Sequence, residues 1–166
     1  MKNRILSMMA ALLVVCSMFC GSIMNVSAED TTYRQVDGSY LTTEESSSAS
    51  TYNPLLRGEH LMDGDTTISK AGIKKVFVYA ATTANHTVDY VSVDVYVEEY
   101  DEEADVWRQI DYWTASSQDD YYVSTQKTVY VDGGHYYRAR SDHFAGNEGD
   151  VLIDSAYTFT DGIWVD

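Results

Sequence analysis

Alternation of apolar and polar residues is clearest in "VDYVSVDVYVEE" (88–99), where Val91, Val93, Val95 and Val97 share one face and Tyr90, Ser92, Asp94, Tyr96 and Glu98 the other. A period of two belongs to a strand with one dry and one wet face. The acidic stretch "YDEEAD" (100–105) gives way to "VWRQIDYWT" (106–114), and the pair predicts a hairpin with a charged loop. Earlier strand candidates are "EHLM" (59–62), "TTIS" (66–69) and "KKVFVYAAT" (74–82), separated by the turn signals Asp63-Gly64-Asp65 and Ala71-Gly72. Later ones are "QKTVYV" (126–131), "HYYRARSD" (135–142) and "DVLIDSAYTFT" (150–160). No segment keeps a helical period of apolar residues, and no unit repeats at fixed spacing. About seven short strands spaced by turns predict an all-β fold, an antiparallel β-sandwich over residues 54–166.

The segment upstream of that domain has a different character. Lys2 and Arg4 precede an apolar run, and Val26-Ser27-Ala28 offers small residues at the −3 and −1 positions of a cleavage site. This is the order of a secretory signal peptide over residues 1–28, and the run is too short for a comfortable membrane span. Residues 29–53, with "TTEESSSAST" inside them, read as a flexible linker rich in Ser, Thr and Glu. Cleavage would remove both cysteines, so no disulfide is expected even in an oxidising compartment. The net charge of −15 would become more negative with the loss of Lys2 and Arg4. Such a balance argues against nucleic acid or anionic lipid, which call for clustered Lys and Arg, and leaves a glycan or a protein as candidate partners.

Within "VDGGHYYRAR" (131–140), Val131, Gly134, Tyr137 and Ala139 fall at a spacing that resembles the corner of immunoglobulin and fibronectin type III-like sandwiches. In those domains a glycine makes the turn and a tyrosine three residues later returns its hydroxyl to the corner's backbone. The resemblance implies structural roles for Gly134 and Tyr137. A wider one runs through "RGEHLMDGDTTISKAG" (57–72), "TTANHTVDYVSVDVYVEEY" (82–100) and "QKTVYVDGGHYYRARSDH" (126–143). These stretches resemble small secreted proteins of Gram-positive bacteria grouped as a domain of unknown function. That resemblance implies a secreted, extracellular bacterial protein with one compact domain, and no activity or cofactor.

With Tyr137, Ala139 and Ser141 facing inward, alternation sets Tyr136, Arg138 and Arg140 on the outer face. In an immunoglobulin-like arrangement the strand carrying Tyr90, Asp94 and Tyr96 is their neighbour. Together with Trp113 or Trp107 from the next strand, these residues outline an aromatic platform flanked by charges, on which sugar rings would stack. Ordinary cross-strand pairing of Arg with Asp or Glu is the competing reading. Trp107, Ile110 and Trp113 mix parities, which a bulge near Arg108 to Asp111 would reconcile.

Signals of catalysis are missing. The four histidines, His60, His86, His135 and His143, show no metal-ligand spacing, and no serine sits in a nucleophile-elbow context. Among metals, calcium suits the oxygen-rich "EEYDEEAD" (98–105) and Asp63-Gly64-Asp65 better than zinc, but neither follows a helix-loop-helix site, so no cofactor is expected. A non-enzymatic binding module follows, with an acidic inhibitor of a basic partner and, last, a small hydrolase as alternatives.

Overall fold

A computed structural model describes residues 34–51 and 59–166; the expected signal peptide 1–28 with its expected cleavage site, Pro54, and residues 29–33 and 52–53 of the expected linker lie outside the described residues. Nine strands are present, and no helix occurs among the described residues: β1 (Gln35–Val36), β2 (Ser39–Thr42), β3 (Ser46–Ser50), β4 (Leu61–Lys70), β5 (Lys75–Asp101), β6 (Val106–Tyr130), β7 (His135–Gly146), β8 (Asp154–Phe159) and β9 (Gly162–Val165). The hydrogen-bonded path is β1-β2-β9-β7-β5-β4-β3, with β6 on β5 and β8 on β7. The β2–β9 pair is parallel and the others are antiparallel, so the sheet is mixed.

One long hairpin organises the rest. β5 and β6 are 27 and 25 residues long, and they pair along nearly their whole length. The other edge of β5 is shared: β4 pairs with its first part and β7 with its second. Between the two stretches the register jumps from Thr83↔Tyr122 to Val88↔Asp120. Extra residues on one strand bend it and increase its twist. The sheet therefore curls, bringing β4 against β7 and β8. Ile68, Val76, Val78 and Ala80 from one wing share a core with Val91, Val93, Val95, Val97 and Ala139 from the other. Burying each valine stabilises the fold by roughly 1.5–3 kcal/mol relative to leaving it exposed.

Several expected boundaries need correction. The two halves of β6 were expected as separate strands, yet the polar run 115–125 continues the ladder between them. Among the described strands β6 pairs only with β5; backbone bonds hold its polar middle, while Trp113, Ala115, Val123 and Val129 put apolar side chains against the core. Asp63-Gly64-Asp65, expected as a turn, lies inside β4. Gly64 is there because a Cβ would come within 2.4 Å of the His143 ring. Part of the expected linker is ordered too, since residues 35–50 contribute β1, β2 and β3. β3 is a serine-rich edge strand: Ser48 Oγ bonds Thr67 Oγ1 at 2.8 Å, and Ser50 Oγ donates to Asp63 Oδ1 at 2.8 Å.

Candidate functional site

β7 divides the polar residues of the molecule between two faces. Tyr137, Ala139, Ser141 and His143 point into the core and are fully buried. Arg138, Arg140 and Asp142 point the other way, in register with Glu98, Tyr96 and Asp94 of β5. Pairing with β6 and β8 extends this into two rows across four strands: Tyr112, Tyr96, Arg140 and Phe159, then Thr114, Asp94, Asp142 and Tyr157. The first row is aromatic with one cation. The second is acid and hydroxyl, ending in another ring.

Most charges on this face are already paired. Arg140 Nη1 reaches both oxygens of Asp142 at 3.0 and 3.1 Å, and its guanidinium lies 3.8 Å from the centre of the Tyr96 ring. The Tyr96 and Tyr112 rings are 5.0 Å apart. Burial, with Asp142 next, raises the Tyr96 phenol above its ordinary pKa, so the ring stays neutral. Thr114 donates to Asp94 at 2.6 Å and lies 2.8 Å from the Tyr112 hydroxyl. What remains open to solvent is ring edge and hydroxyl: Tyr112 is 46% exposed and Tyr157 67%.

Arg138 is on the same face but is not free. Only 6% exposed, it donates to Glu98 Oε2 at 2.7 Å and to Ser39 Oγ at 2.9 Å. Its guanidinium centre lies 4.5 Å from the Trp107 ring and 5.5 Å from that of Phe159. β2 and the two rings thus cover a position expected to be exposed, because a guanidinium can stack on aromatic faces while its fork satisfies a carboxylate.

The remaining expected residues are dispersed. Tyr90 shares the face but sits six residues from Tyr96, about 20 Å along an extended strand. Tyr136 packs edge-on against Trp164, with centroids 4.9 Å apart. Trp113 does not belong to the face: it pairs with the inward Val95, packs against the core and donates its indole N–H to Thr125 at 3.1 Å. A bulge does occur, with Val97↔Asp111 followed by Glu98↔Gln109. Skipping Ile110 places Trp107 and Trp113 on opposite faces rather than uniting them.

A model described as a family of unknown function, DUF6147, matches residues 25–161. The chain belongs to that family. No curated protein and no solved structure matches it. The DUF6147 match covers the whole β5–β6 hairpin and both faces of β7, and β9 lies beyond it.

Two further regions of this DUF6147 protein bear on chemistry. In the core, His143 is sandwiched between hydroxyls, with Nδ1 2.9 Å from Thr82 and Nε2 2.9 Å from Thr158, and the chain continues through Thr66 to Ser141 at 2.6 and 2.7 Å. Burial holds the His143 pKa down at about 4, so the imidazole is neutral. Nothing in the spacing of His143 announced this, because its partners come from β4, β5 and β8. At the corner, Gly134 has φ +86°, a backbone that a side chain resists. The Tyr137 hydroxyl lies 2.7 Å from Glu99 Oε2 and 2.9 Å from the carbonyl of Asp132.

The acidic hairpin is also more engaged than its composition suggests. Asp101 accepts from the backbone of Glu103 and Ala104 and from Arg108 at 2.6 Å, while Asp105 meets Arg34 at 2.8 Å and the Tyr100 hydroxyl at 2.8 Å. The Ala104 amide first, then Arg108, lowers the Asp101 pKa; the Tyr100 hydroxyl, then Arg34, lowers that of Asp105. Such pairing weakens the hairpin as a docking patch for a basic partner.

Proposed function

We propose that the protein is a secreted, non-enzymatic binding module, and that its contact surface is the outer face centred on Tyr112, Tyr96, Arg140 and Tyr157. The observation that carries this reading is the neutralised row: Arg140 is held by Asp142 and stacked on Tyr96, while Tyr112 and Tyr157 stay exposed. An ionic partner would have to displace an existing pair. A neutral ligand rich in hydroxyls and flat enough to stack, such as a glycan, would use the rings and the free lone pairs of Asp94 and Asp142 as they stand. Export through the segment 1–28 and kinship with immunoglobulin-like sandwiches belong to this proposal; the small-residue site before Glu29 and the Tyr137 hydroxyl near Asp132 support them.

Binding of the chain to a glycan array tests the reading. Tyr112→Ala and Tyr157→Ala should each reduce retention about tenfold while leaving the melting temperature near that of wild type, since both rings are solvent-exposed. Equal retention by wild type and both variants, or no retention of any glycan, overturns it.

A further inference from the structure

Outside that face, the bend in β5 brings together two histidines that are far apart in sequence. His60 precedes β4 and is only 5% exposed. His86 lies in the stretch where β5 loses register with β6. The backbone N–H of Asn85 donates to the carbonyl of His60 at 2.8 Å, so the side chains meet beside it. His60 Nδ1 and His86 Nε2 are 3.3 Å apart, and the ring centroids are 5.2 Å apart.

The partners of the other two ring nitrogens decide where the protons are. His60 Nε2 lies 3.1 Å from Asp150 Oδ2, and a carboxylate only accepts, so Nε2 carries the hydrogen. His86 Nδ1 faces Asn85 Oδ1. The orientation of that amide is fixed by its other end, since Asn85 Nδ2 donates to the carbonyl of Glu59 at 2.7 Å. His86 Nδ1 is therefore also the protonated nitrogen. In the neutral pair, Nδ1 of His60 and Nε2 of His86 then point two lone pairs at each other with no hydrogen between them. A buried imidazole aimed at another lone pair calls for a cation in the gap.

We infer that His60 and His86 form a two-histidine clip for a divalent zinc ion, with Asp150 orienting His60 from behind. The spacing selects the metal. Zn–N bonds of about 2.0–2.1 Å at tetrahedral angles separate two ligand atoms by roughly 3.3–3.4 Å. Cis ligands of a square-planar Cu²⁺ at similar bond lengths would be roughly 2.9 Å apart. Among the described residues no third His, Cys, Asp or Glu joins the pair as a ligand. Water fills the remaining positions, which leaves them exchangeable. Asp154, close by, is occupied: its Oδ2 accepts the backbone N–H of His60 at 2.5 Å and that of Leu61 at 3.1 Å. It fixes the backbone that presents His60. The arrangement of carboxylate, imidazole and metal is a common one, in which the outer carboxylate sets tautomer and ring orientation.

Zinc chloride titrated into the full chain, followed by calorimetry and by the ¹⁵N shifts of the imidazole nitrogens, tests the site. One equivalent should bind, moving the resonances of His60 Nδ1 and His86 Nε2 and leaving His143 unmoved. His86→Ala, at an exposed position, should retain the wild-type fold and lose binding by at least about tenfold. Asp150→Asn should weaken it by about tenfold through the orientation of His60. Absence of a bound equivalent in wild type, equal binding by His86→Ala, or shifts confined to the imidazoles of His135 and His143 overturns the inference.

Discussion

The two faces of β7 solve one problem in different ways. Facing inward, Ser141 and His143 are buried without charge, and their polar atoms are satisfied by hydroxyls of Thr66, Thr82 and Thr158. Facing outward, Arg138 and Arg140 keep their charge and are matched with Glu98 and Asp142. Neutral groups can be buried for the cost of arranging hydrogen bonds, whereas a buried charge needs an opposite charge in contact. Depth in this molecule is tolerated by polarity type: imidazole and hydroxyl at the centre, guanidinium and carboxylate under a thin aromatic cover.

The largest break in that pattern is expected from Arg138→Ala. It takes from Glu98, 8% exposed, the closer of its two cations and leaves Arg140 Nε at 3.5 Å, which should cost about 3–4 kcal/mol in chemical denaturation. Pairing it with Glu98→Gln should recover much of the loss; a double variant as unstable as the single one would show that stacking on Trp107 and Phe159 dominates instead.

Lowering the pH attacks the inner face next. The His143 pKa is about 4 in the fold and about 6.5 in an unfolded chain. The unfolded state thus binds the proton more readily, so this residue's contribution is intact above pH 6.5 and is lost as pH falls towards 4. The loss is on the order of 3 kcal/mol. Melting curves between pH 7 and 4 should show a steeper decline for wild type than for His143→Gln, and parallel declines would remove His143 from the account. Smallest is Arg140→Ala, where a pair about a third exposed should cost no more than about 1 kcal/mol. A larger effect would mean that the stacking of Arg140 on Tyr96 carries stability as well.

The sequence made parity legible where one face was dry. Val91 to Val97 and Tyr137 to Ser141 alternate cleanly, and both registers followed. It hid strands that bury little: β3 is mostly serine, and residues 116–120 of β6 are all polar, because backbone pairing along β5 or β4 needs no apolar face. Gly64 read as a turn residue, since the ring of His143 that demands it arrives from a strand 70-odd residues later. The bulge at Ile110 is legible in the mixed parity of Trp107, Ile110 and Trp113, but the face each tryptophan takes depends on its partner in β5, and Trp113 lies opposite the inward Val95. His60 and His86 share no spacing rule either, as the bend in β5 brings them together.

The parallel pairing of β2 with β9 sets the order in which the molecule can be completed. Ser39 bonds the carbonyl of Thr160 and Tyr40 bonds Asp161, each across 121 residues. Among the described strands, β1 and β2 join the hydrogen-bonded ladder through β9, which follows all the others along the chain. A nascent chain could form the β5–β6 hairpin early, but the cover over Arg138 would have to wait until β9 had emerged. Contacts of such separation fold slowly, and a chain cut after Asp161 should keep the hairpin while leaving β1 and β2 undocked.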